Sequence, residues 1–77
     1  MKNLIFINSL NWWVLLEPNL KNSSKYRYEV FQTSRSCFPI LKGLIIKGEK
    51  ISVQQKSVGI SQQQIQLLGE ELKNIID

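Results

Sequence analysis

The chain has no histidine and a single cysteine, Cys37. These two shortages remove most of the chemistry open to a small protein. Without an imidazole, a thiol or hydroxyl nucleophile has no base of the usual kind. The carboxylates Glu17, Glu29, Glu49, Glu70 and Glu71 are scattered along the chain or fall on a helix surface. They compose no catalytic constellation, no metal-ligand cluster and no cofactor fingerprint. The reading is of a protein that is not an enzyme, binds no cofactor and takes no small-molecule substrate. A lone thiol forms no internal disulfide, which suits the cytoplasm or another reducing intracellular compartment. With no activating neighbour beyond Arg35, Cys37 is expected to be an ordinary buried or half-buried side chain.

Long apolar runs are also missing. Lys2 and the apolar stretch to Leu16 have a faint leader-like look, but Asn8, Ser9 and Asn11 interrupt it and no small-residue cleavage site follows. The stretch falls short of the roughly 20 residues a membrane helix needs, so a membrane role is not expected. Asn22-Ser23-Ser24 fits a glycosylation acceptor, a tripeptide frequent by chance and given no weight without a secretory signal.

What is present is ordinary globular material: 77 residues, 43% apolar and 21% charged. This is one small domain, 1–77, near the lower limit for a self-sufficient core. The net charge of +4 is unevenly placed, with +6 over residues 1–60 and −2 over residues 61–77. A basic body of this kind is compatible with an anionic partner.

Leu4-Ile5-Phe6-Ile7 and Trp12-Trp13-Val14-Leu15-Leu16 carry the most information. Aromatic and β-branched content favours strands, at about 3–8 and 12–17, with Ser9-Leu10-Asn11 as the turn. Alternate side chains in a strand point to opposite faces, so both segments are apolar on both faces. Pro18 ends the second strand and a polar loop runs to Ser24. Tyr26, Tyr28 and Val30 then share one face, and Lys25, Arg27 and Glu29 the other; Phe31 lands on the charged side. Ser34-Arg35-Ser36 is a loop, and Pro39 keeps Phe38 extended.

Leu44–Lys47 and Lys50–Val53 flank Gly48-Glu49, which reads as a two-residue hairpin with Gly48 first in a type II′ turn. Gly43 marks a bulge or bend. Ser61 and Gln64 form a capping-box pattern, and Ile65, Leu68, Leu72, Ile75 and Ile76 make one apolar stripe. Gly69 weakens that helix but permits close approach to the sheet. The expected fold is α+β: a small antiparallel sheet or barrel of four to five strands within 3–54, then one C-terminal amphipathic helix at about 61–76.

Three functional readings follow. In the first, an apolar-aromatic surface binds a protein partner or a second copy of the chain, as an accessory subunit, adaptor or inhibitor would. Trp12 and Trp13 point to opposite faces and one helix covers only one, so one ring is an anchor unless a closed barrel hides it. Leu67, alone among polar residues opposite the helix stripe, joins Trp12 and Trp13 as a candidate contact. The second is a nucleic-acid-binding sheet, with Lys25, Arg27, Arg35, Lys47 and Lys50 on phosphates and exposed rings stacking on bases. Against it, the tyrosines share a face with Val30.

The third is a helix-turn-helix about Val58-Gly59-Ile60-Ser61, with Gln62, Gln63 and Gln66 toward the major groove. Against this, Ile51-Ser52-Val53 alternates like a strand, and Gln55 stands where the motif needs a small residue.

Overall fold

The computed structural model describes residues 4–21, 24–49 and 51–76. Five strands, β1 (Leu4–Ile7), β2 (Trp12–Pro18), β3 (Lys25–Phe31), β4 (Leu41–Ile46) and β5 (Ser52–Lys56), precede one helix, α1 (Gln62–Ile76). The strands are antiparallel and stand side by side in chain order. The fold is α+β, as the residue patterns indicate. The sheet is an open meander with β1 and β5 as its edges, so no barrel closes over the surplus apolar surface.

Register and alternation sort the side chains. Ile7 stands opposite Trp12, Val14 opposite Val30, Tyr28 opposite Gly43 and Val30 opposite Leu41. These residues lie on the face that α1 covers, and Ile7, Trp12, Val14, Tyr28, Val30, Leu41 and Ile45 form one buried cluster with Ile65, Leu68 and Leu72. Three of the expected stripe residues are therefore core, and Ile76 packs at its border. Ile75 is the exception: the stripe expected it inside, but it is exposed at the end of the last turn.

The helix begins as the capping pattern requires. The Gln64 amide donates to Ser61 Oγ at 3.2 Å, and the Ser61 amide donates to Gln64 Oε1 at 2.8 Å. Each side chain satisfies a backbone donor that the first helical turn leaves free. Ser61→Ala is expected to lower unfolding free energy by about 1 kcal/mol, read as a lower urea midpoint with unchanged slope.

The β4–β5 hairpin departs from the expected geometry. Gly48 has φ 85° and Glu49 N donates to Ile46 O at 2.8 Å. Gly48 is therefore the second central residue of a type II turn, not the first of a type II′ turn. The connection is longer than two residues, and β5 begins at Ser52 and runs past residue 54 to Lys56. β4 begins earlier than expected, at Leu41, because β3 continues to pair with it as far as Val30–Leu41.

Gly43 lies at a register irregularity between β4 and β5. A Cβ there would fall on the Ser52 carbonyl oxygen and lie 2.8 Å from Tyr28 Oη. The bare backbone lets the buried Tyr28 hydroxyl pass and donate to Ser52 O at 2.7 Å. Burial of Tyr28 pushes its phenol up to about 12. Gly69 performs a similar service on α1, where an added Cβ would sit 3.0 Å from Ile51 Cγ2.

β5 also removes the helix-turn-helix. Residues 52–56 are a strand, and Ser57–Ile60 is a turn with Gly59 at φ 97°. No helix precedes α1 among the described residues, so the glutamines have no partner helix to set them in a groove.

Candidate protein-binding face

The face turned away from α1 is built by the other half of each alternation. Phe6 stands opposite Trp13 and Trp13 opposite Phe31; Leu4 stands opposite Leu15. These five residues occupy one corner of the sheet, on β1, β2 and the end of β3. The Phe6 and Trp13 rings meet with centroids 4.9 Å apart at 48°, a tilted aromatic pair. Leu15 and Phe31 are 4% and 7% exposed although neither belongs to the cluster under the helix. Phe6 is 39% exposed and Trp13 half-buried, so the pair forms the wet surface of this corner.

The two tryptophans thus part company. Trp12 is 6% exposed and packed in the core, so it is unavailable as a surface anchor. Trp13 is the ring left for a contact. Leu67 is half-buried on α1, in the other layer of the molecule, and is not brought near Trp13. Leu4, Phe6, Leu15 and Phe31 are additions to the expected set. The signal for Phe31 was its break from alternation onto the charged side.

The candidate phosphate contacts are brought together only in part: Lys25 and Arg27 share one face of β3, and Lys47 follows Ile46, which stands opposite Lys25. Arg27 is exposed but donates from Nη2 to Glu17 Oε2 at 3.1 Å. Lys25 is half-buried at the start of β3, and Lys47 is held beside it, its amide donating to Ser24 O at 2.7 Å. Arg35 lies past the far end of β3, about 20 Å away along the strand. Lys50 lies outside the described residues, as do Asn22 and Ser23 of the acceptor tripeptide and residue 3 of the first expected strand. Tyr26 and Tyr28 face the helix, and Tyr28 is fully buried, so they offer bases no stacking platform.

Cys37 corrects another expectation, being exposed in the loop between β3 and β4. Next to it Phe38 is 83% exposed. A cleft of about 450 Å³ opens between α1 and the β4–β5 connection, with Ile51 and Ile65 beside Glu49, Glu70 and Lys73. Among the described residues no helix is long and apolar enough to cross a membrane, and no group of three His, Cys, Asp or Glu side chains is placed to hold a metal.

Comparison with known proteins returns no matching family model, no matching curated protein and no matching solved structure.

Proposed function

We propose that this chain is a small non-enzymatic binding protein, an accessory subunit, adaptor or inhibitor, that engages another protein through the open face of its sheet. One observation carries the reading: a single helix covers one face, while the other presents the Phe6–Trp13 pair, Phe6 exposed and Trp13 half-buried, beside the buried Leu15 and Phe31. Apolar surface of this kind gains free energy when water is removed from it, at about 25 cal/mol per Å². Contiguous aromatic patches of this kind mark interaction sites more often than scattered apolar residues do. Trp13 is the anchor, since tryptophan at the centre of an interface carries a disproportionate share of binding energy.

The test compares tagged wild type with Trp13→Lys. Both are first shown by circular dichroism to be folded. Bound proteins are then identified by mass spectrometry, with other copies of the chain counted separately. Trp13→Lys is expected to deplete the bound set by about tenfold or more, the scale of an aromatic hot spot. An unchanged set, or a variant that cannot fold at all, removes the reading, because the ring would then be ordinary surface or ordinary core.

A further inference from the structure

We infer that β5 is a releasable strap: its middle lifts off β4 and returns while β1–β4 and α1 stay folded. The inference concerns the sheet edge opposite β1, remote from Phe6 and Trp13, and holds whatever their face binds.

Buried side chains tie a strand to its sheet, and β5 has none. Ser52, Val53, Gln54, Gln55 and Lys56 are all exposed, whereas β1, β2, β3 and β4 each bury at least one apolar side chain. Val53 stands opposite Gly43, which offers it no side chain to pack on, and is 40% exposed. What holds β5 is therefore hydrogen bonding, and that too is interrupted. The pairing with β4 shifts register between Lys42 and Gly43, so the ladder runs as two short pieces. Beside the ladder, Tyr28 Oη donates to Ser52 O at 2.7 Å and Ser52 Oγ donates to Leu44 O at 3.0 Å. The Ser57 amide closes the far end on Ile40 O at 2.9 Å. Hydrogen bonds at a wet edge exchange for bonds to water at small net cost. A strand with exposed backbone bonds and no buried apolar contact belongs to the part of a fold that opens locally.

The two ends of the strap are different. Ile51 precedes β5 and Ile60 follows it, and both pack against the cluster that α1 shares with the sheet. Ile51 Cγ2 rests against Gly69, only 3.0 Å from where a Cβ would stand. Between these two pins the chain covers about 20 Å, the length of β5 and one tight turn, and reaches about 30 Å when extended. That slack lets residues 52–57 bow outward with both isoleucines and α1 in place. Release uncovers the outer edge of β4, a row of backbone donors and acceptors. It also lets water replace Ser52 O at the Tyr28 hydroxyl.

The experiment is amide hydrogen exchange followed by NMR, without urea and in low urea. The Ser57 amide and the β4 amides directed at β5 are expected to be protected, but about tenfold or more less than those of β2, β3 and the middle of α1. Their exchange is expected to be indifferent to low urea, because bowing exposes little new surface. Ile7→Val weakens the core at the other edge of the sheet. It is expected to speed exchange in β2, β3 and α1 about threefold to tenfold while Ser57 keeps its rate. Gly43→Ala sets a methyl against the Ser52 carbonyl and is expected to abolish protection at Ser57 with β2 and β3 still protected. Should that variant fail to fold, wild type and Ile7→Val decide between them. A Ser57 amide that exchanges at the core rate, or follows the core in urea or in Ile7→Val, overturns the inference. So does an unprotected Ser57 in wild type, or a middle of α1 that opens together with β5.

Discussion

Leu68→Asp leaves the chain unfolded at 25 °C, with no cooperative thermal transition by far-ultraviolet circular dichroism. Leu68 is wholly buried in the cluster that joins α1 to β1–β4. Removing a buried leucine side chain costs about 2–5 kcal/mol, and a carboxylate in its place adds the cost of an unpaired charge in an apolar site. Domains below about 80 residues hold only about 3–5 kcal/mol from their cores. The loss therefore exceeds what is available. Gln66→Asp, on the exposed side of the same helix, serves as the control and keeps its transition. A Leu68→Asp protein that melts like wild type would show that α1 is not docked on the sheet.

Gly43→Ala is the second large effect, expected to lower unfolding free energy by about 2–3 kcal/mol in urea titration. The added methyl would collide with the Ser52 carbonyl and crowd Tyr28 Oη, so the β4–β5 pairing and the Tyr28–Ser52 hydrogen bond compete for one space. The backbone carbonyl is the less yielding of the two. Tyr28→Phe in the same chain therefore does not rescue the alanine. An alanine variant as stable as wild type would mean that β5 can move away at no cost.

Legibility in the sequence followed the strength of the local physics. The helix could be read because Ser61, Gln64 and the Ile65–Leu68–Leu72 spacing all state the same thing. The two apolar faces of β1 and β2 could be read because Leu4–Ile7 and Trp12–Leu16 leave no polar side. Which tryptophan goes under the helix could not, since alternation separates the two rings without saying which face α1 takes. β5 was misplaced because Ser52-Val53-Gln54-Gln55-Lys56 is exposed at every position and lacks the burial that generates a pattern. Gly48 announced a turn, but its position within the turn depends on where β4 stops pairing with β3. The aromatic corner is half visible in the sequence: Trp13 stands out, while Leu15 and Phe31 join it only through cross-strand register.

The chain-order meander also has a kinetic side. Every strand pairs with its sequence neighbour, so each hairpin closes a short loop and can form early and fast. The helix that shields one face is the last element after all five strands. During synthesis all five strands are made before residues 62–76, so until those residues follow, nothing in the chain is present to cover the face that α1 covers in the folded protein.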